Sequence, residues 1–182
     1  AVARYADYQA GKVDEETMCG EMVTMNAGVP LAILEEAAEE FFASEVEARG
    51  RIFPEMQQLT QELKNAGCEL WAVSSTNVWS IRAGMPRFGI PSDHVLGASV
   101  HIENGLATNR LVRVPTDEGK AKAIQESLDK PVDVCCGNSI HDAAMLELAR
   151  HPLAVNANPD LELIAREKGW RLYRPMGRNR PT

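Results

Sequence analysis

Lys130-Pro131-Val132-Asp133-Val134-Cys135-Cys136-Gly137-Asn138-Ser139-Ile140-His141-Asp142 carries the clearest sign of the chain's architecture. The apolar run from Val132 to Cys136 is short and bounded by Pro131 and Gly137, which reads as a buried strand of the kind a parallel sheet uses. A small polar turn follows, and helical pattern resumes from about Ile140 to Ala149. Strand, tight turn and helix in succession is the repeating unit of an α/β protein. The texture recurs on both sides. Cys68-Glu69-Leu70-Trp71-Ala72-Val73 reads as a strand that enters the polar turn Ser74-Ser75-Thr76-Asn77 and then a helix from Val78 to Ala83. Leu153-Ala154-Val155 leads to a helix from Leu161 to Lys168 and a last short strand, Arg171-Leu172-Tyr173.

Between these units, Gly97 to Glu103 and Leu111 to Val114 read as the arms of a hairpin, with Asn104-Gly105 as a turn dipeptide. Helices are expected from Glu55 to Asn65, ended by Gly67, and from Asp117 to Leu128. The first fifty residues differ. They read as three helices without strands, Val2 to Gln9, Glu15 to Met25 and Leu31 to Arg49, broken at Gly11 and at Gly28-Val29-Pro30. In the third of these, Leu34, Ala38, Phe41 and Phe42 form an apolar stripe opposite four glutamates. The economical architecture is a parallel sheet with helices on both faces, residues 53–182, preceded by a small helical subdomain, residues 1–52.

Composition narrows the function classes. The 182 residues are 45% hydrophobic and 25% charged, ordinary for a chain with a real core. Nineteen Lys and Arg against 26 Asp and Glu leave a net charge of −7 and a pI near 5.2, the wrong sign for a nucleic-acid partner. No apolar run approaches the roughly 20 residues needed to span a bilayer, and no secretion signal is visible, so no membrane partner and a cytoplasmic location are expected. Cys19, Cys68, Cys135 and Cys136 lack zinc spacing and read as reduced thiols. His94, His101, His141 and His151 lack it too. The opening Ala1-Val2-Ala3-Arg4 has no initiator Met and starts directly in helical pattern, which suggests a missing N-terminus.

Ligands of open α/β sheets collect beyond the carboxyl ends of the strands, and three turns there carry chemistry. Ser74 and Ser75 offer hydroxyls and backbone N–H groups to an anion, although a serine before a helix is ordinarily an N-cap. Lys120 stands near a helix start, where a cation is electrostatically misplaced unless an anion faces it. Asn138 and Asp142 offer hard oxygen ligands suited to magnesium, although Ser139 with Asp142 also matches a capping box.

Taken in order, Ser74, Lys120 and the Gly137-Asn138-Ser139-x-x-Asp142 turn resemble motifs II, III and IV of the haloacid dehalogenase-like phosphatases, in their phosphoserine-phosphatase-like branch. The likeness covers nearly the whole chain. Residues 1–52 look like the family's small helical cap, and Leu153-Ala154-Val155-Asn156 with Leu161-x-x-Ile164-Ala165-x-x-x-Gly169-Trp170 looks like its closing strand and helix. The resemblance implies magnesium-dependent hydrolysis of a small phosphorylated metabolite through an aspartyl-phosphate. It places Ser74 and the Ser75 backbone on the phosphoryl group, Lys120 between the nucleophile and phosphate charges, Asn138 on the metal, and Asp142 on a metal-associated water or on Lys120.

Two departures stand out. The family usually has Asp at the position of Asn138. The nucleophile motif Asp-x-Asp is absent, since Asp7, Asp14, Asp93, Asp117, Asp129, Asp133, Asp142 and Asp160 are never two residues apart. The family carries that motif on a strand ahead of the cap, so the expectation is an inactive chain whose nucleophile lies upstream. The alternative is a catalytically silent module that binds a phosphorylated ligand or a partner protein. The branch's phosphoserine enzymes grip the substrate carboxylate with a cap arginine. The stretch Met18 to Met25 has no basic residue, which points away from phosphoserine.

Overall fold

The computed structural model describes residues 2–176. They form two compact units, one running to Pro115 and the other starting at Thr116.

The first unit opens with α1 (Val2–Gln9), α2 (Glu15–Thr24) and α3 (Leu31–Phe41). Asp14 caps α2 by accepting a hydrogen bond from the Thr17 N–H at 2.7 Å. Where one long helix to Arg49 was expected, α3 passes into a π-helical stretch, Phe42–Glu47. The stripe that meets the core is Leu31, Leu34, Ala38 and Phe42, spaced three to four residues apart, so Phe41 faces solvent instead of joining it. Phe42 lies beneath the Arg87 guanidinium, 4.9 Å from the ring centre, and Arg87 also pairs with Glu39 and Glu47.

α4 (Pro54–Asn65) begins with proline at its first position, where the missing N–H costs nothing. It is followed by β1 (Ala72–Asn77), α5 (Val78–Gly84), β2 (Val95–Glu103) and β3 (Leu106–Arg113). The sheet order is β1-β2-β3, with β1 parallel and β3 antiparallel to β2. The hairpin turn is the expected Asn104-Gly105, both with positive φ, and this two-residue turn brings Leu106 opposite Glu103. The second arm therefore starts at Leu106, five residues earlier than the apolar pattern suggested.

The strand expected over Cys68–Val73 instead runs from Ala72 through Asn77. Residues 68–71 are held by side chains: Trp71 stacks on His94 with ring centres 4.2 Å apart, its indole N–H donates to Glu69, and His94 Nδ1 bonds the Leu70 carbonyl. Trp71 is thus half-buried, and of the three tryptophans only Trp79 is fully interior. The core of this unit comprises Val23, Ala38, Trp79, Ala83, Ala98, Val100 and Ala107.

The second unit is a parallel sheet of order β4-β5-β6, built from β4 (Val132–Gly137), β5 (Ala149–Val155) and β6 (Arg171–Tyr173). Its helices are α6 (Glu118–Ser127), the short α7 (Ala143–Glu147) and α8 (Pro159–Glu167). The helix expected from Ile140 to Ala149 is a 3-10 turn, Ile140–Asp142, followed by α7, because Ala149 is already paired with Val132. Leu146, Ala154, Leu161 and Ala165 are wholly excluded from solvent and centre the core. The expected α/β class and parallel pairings are observed, distributed over two three-stranded sheets, one in each unit. Among the described residues no helix is long and apolar enough to cross a membrane.

Gly97 lets β2 pass the β1-to-α5 turn, since a Cβ there would stand 2.7 Å from Val78 Cα and 3.0 Å from the Thr76 carbonyl. Those neighbours are backbone and yield little. Gly97→Ala is expected to lower stability by about 1–3 kcal/mol, read as a drop in the urea midpoint at unchanged m-value.

Candidate functional site

In the second unit, α6 and the turn after β4 meet through one carboxylate. Lys120, the third residue of α6, is 6% exposed, and Asp142 is 4% exposed. Lys120 Nζ donates to Asp142 Oδ1 at 2.5 Å. Asp142 Oδ2 accepts from the backbone N–H groups of Asn138 at 2.7 Å and Ser139 at 3.0 Å. The anion demanded by a lysine at a helix start is therefore Asp142. The structural alternative for Asp142 also holds, because its bond to the Ser139 N–H is half of a capping box. One residue does both jobs.

Gly137 makes the approach possible. A Cβ there would lie 2.6 Å from Asp142 Cβ and 3.1 Å from Oδ2, so any side chain would push the carboxylate out of the turn. Asn138 is exposed, and its own carbonyl accepts from the Asn158 N–H at 2.8 Å, tying the turn to the start of α8. Its side-chain amide is at the surface as an open oxygen donor.

A second polar link was not foreseen from sequence. His141 Nδ1 lies 2.7 Å from Asp117 Oδ1, with the carboxylate as acceptor, and Thr116 donates its hydroxyl to Asp117 Oδ2 at 3.2 Å. Asp117 adopts φ 47° and ψ −126°, a conformation rare outside glycine, and its side chain does not cap α6. Backbone conformation of this sort leaves no mark in composition or periodicity. The histidine in the turn was the available signal.

Cys135 and Cys136 lie on β4 just ahead of this turn. Burial pushes the Cys135 thiol up to about 12, with the neighbouring Cys136 and Asp142 adding to the rise and Lys120 opposing it; burial likewise raises Cys136. None of the four cysteines is joined in a disulfide.

The first unit holds the two serines. Ser74 and Ser75 fall inside β1, and the residue that caps α5 is Asn77, whose Oδ1 accepts from the Ser80 N–H at 2.9 Å. Neither serine is spent on capping. Ser74 Oγ accepts from the Thr76 N–H at 3.2 Å, so its own proton remains available. Ser75 Oγ donates to Glu15 Oε1 at 2.8 Å, so its hydroxyl proton is already committed. Of the methionines on α2, Met18 is buried and Met22 is exposed, as is Met25 just after the helix.

Residues 2–147 match the family model described as haloacid dehalogenase-like hydrolase. The chain belongs to that family. It is 28% identical over 176 residues to a histidinol-phosphatase of Neisseria meningitidis serogroup C, covering 91% of this chain and 78% of that protein. It is also 28% identical over 148 residues to a phosphoserine phosphatase of Mycobacterium tuberculosis, covering 78% of this chain and 46% of that one, so it spans less than half of the mycobacterial relative. Among solved structures, a Bordetella pertussis protein of unknown function superposes with a TM-score of 0.79 at 22% identity, covering 93% of this chain and 78% of that one. A probable phosphoserine phosphatase from Vibrio cholerae gives 0.67 at 19% identity, covering 96% of this chain and 51% of that one. The resemblance read from the three turns thus holds at the level of family and fold.

Two measurements test this site. Asp142→Ala leaves the Lys120 ammonium buried without its carboxylate and is expected to cost about 3–5 kcal/mol in urea unfolding, with only the charge-burial part recovered in the apolar double variant Lys120→Met/Asp142→Leu, which still lacks an acceptor for the Asn138 and Ser139 N–H groups. Iodoacetamide at pH 8 is expected to leave Cys135 unmodified in the folded chain and to label it in denaturant, read by mass spectrometry. Because the folded thiol keeps its proton to higher pH than the unfolded one, its contribution to stability is complete below about pH 9 and is lost as pH rises further.

Proposed function

We propose that this chain forms most of a magnesium-dependent phosphomonoesterase acting on a small phosphorylated metabolite, with residues 1–52 as its helical cap and 53–182 as its core. The observation that carries the reading is the state of Lys120. An ammonium has three N–H donors, and at 6% exposure water cannot serve them freely; Asp142 takes one. A phosphate oxygen is a partner of the right charge for the others. In this reading Ser74 donates its hydroxyl to the phosphoryl group, the Ser75 N–H adds a second donor, and Lys120 offsets the charge that gathers as the phosphoester bond breaks. Asp142 is the positioning residue that aims Lys120.

The donor set fits magnesium in part. Asn138 supplies an exposed amide oxygen, a hard ligand of the correct kind. Both Asp142 oxygens already accept hydrogen bonds, so Asp142 fits a place beside water around the ion better than direct ligation. Among the described residues no group of three or more His, Cys, Asp or Glu side chains is placed to hold a metal, so Asn138 and Asp142 account for only part of a six-oxygen shell. Magnesium, when bound, neutralises phosphate charge. The aspartyl nucleophile of this chemistry must come from outside the 182 residues, which contain no Asp-x-Asp.

Phosphate release from sugar, amino-acid and nucleotide monophosphates tests the proposal. The 182-residue chain is expected to be inactive. A chain extended at its N-terminus by a strand bearing Asp-x-Asp is expected to hydrolyse at least one class with magnesium and to lose about 100-fold or more in kcat on Lys120→Met. Robust hydrolysis by the short chain would sink the account of the nucleophile. An inert extended chain that still binds phosphate would identify a silent ligand-binding module.

A further inference from the structure

α2 is seated closely on the β1-β2-β3 sheet. Gly20 allows it, since a Cβ there would already touch Leu111 and Val114 at 3.4 and 3.6 Å. The first two residues of α2 are both glutamates, a usual choice at the positive end of a helix dipole, but they behave differently. Glu16 is exposed. Glu15 is half-buried, its Oε2 has no solvent access, and its Oε1 accepts from Ser75 Oγ at 2.8 Å, sixty residues away in sequence. Its side chain is turned from solvent onto a serine of β1.

We propose that Glu15 is a specificity-determining residue, which selects phosphomonoesters by the charge of the alcohol part. This inference rests on the reading of Ser74 and Ser75 as a phosphate-binding turn. A partly buried carboxylate one hydrogen bond from Ser75 is screened less than a surface carboxylate, so its charge is felt by a group held a few ångströms away on a phosphate bound at Ser74 and Ser75. An alcohol part bearing an ammonium is attracted, and one bearing a carboxylate is repelled. The Ser75 hydroxyl fixes the carboxylate in place, so discrimination comes from a held charge instead of a mobile surface side chain.

Calorimetric titration of the full chain with magnesium present separates the possibilities. The probes are O-phosphoethanolamine, glycerol phosphate and phosphoglycolate, whose alcohol parts are cationic, neutral and anionic, with inorganic phosphate as reference. The unaltered chain is expected to bind them in that order of decreasing affinity, with about tenfold or more between the extremes. Glu15→Gln keeps an oxygen acceptor for Ser75 and removes only the charge; it is expected to shrink the spread to about threefold or less, chiefly by strengthening phosphoglycolate. Glu15→Asp keeps the charge and is expected to keep the order, and thermal melts of both variants report on folding. Equal affinities in the unaltered chain, or an unchanged spread in Glu15→Gln, would overturn the role of Glu15 and leave the phosphate-binding turn standing. Failure of all four probes, inorganic phosphate included, would overturn that turn and this inference with it.

Discussion

A single carboxylate, that of Asp142, organises the second unit. Moving an ammonium and a carboxylate out of water together costs several kcal/mol per ion, and their attraction repays this only if the remaining lone pairs are also satisfied. Asp142 meets that condition, because one oxygen takes Lys120 and the other takes two backbone N–H groups. The same three bonds fix the path of the chain after β4 and the start of α6. Gly137 is dictated by the same carboxylate, since only hydrogen fits where a Cβ would meet it. A hydrophobic pair would remove the desolvation cost but leave the Asn138 and Ser139 N–H groups without an acceptor, so the turn accounts for the carboxylate but not for the ammonium. A buried lysine aimed by a carboxylate is what the proposed role of Lys120 beside a phosphate requires.

In the first unit the two serines of β1 are not needed as helix caps, because a neighbour performs that duty. Asn77 caps α5, Gly97 lets β2 clear the turn, and Ser74 and Ser75 remain on a strand with their polar groups directed to Thr76 and Glu15. Capping is the commonest explanation of a serine ahead of a helix, and here it applies to the asparagine three residues beyond Ser74.

Features governed by local chemistry could be read from sequence. Asn104-Gly105 turns as its composition requires, and Gly137 ends its strand beside the acidic residue expected to matter. What escaped reading depends on pairing across distance. The second hairpin arm begins at Leu106 because a two-residue turn pairs immediately, and β5 begins at Ala149 because Val132 is there to meet it, neither of which the apolar pattern records. Residues 68–71 look like a strand and are held by the Trp71–His94 stack instead. At the site, the residue types and their order were legible. The partner of Lys120, the commitment of Ser75 to Glu15 and the twist at Asp117 were not, since each is a tertiary contact or a backbone angle.

Asp117 shows where the sequence and the fold disagree most. An aspartate before a helix is favoured as its cap, yet this one turns its carboxylate to His141 and takes up a backbone conformation that costs a non-glycine residue about 1–3 kcal/mol. The surroundings hold it there. The Gly119 N–H donates to the Thr116 carbonyl at 2.7 Å and the Lys120 N–H to the Asp117 carbonyl at 3.1 Å, so the first turn of α6 closes without a side-chain cap. Three local rules are thus broken within a few residues: a cation at the positive end of a helix, an aspartate that does not cap, and a left-handed backbone without glycine. Sequences that fold well keep such conflicts few and confine them to places where something other than stability is served. Their concentration at one strand-end turn, around the buried Lys120, is what the proposed phosphate-handling role predicts for that turn.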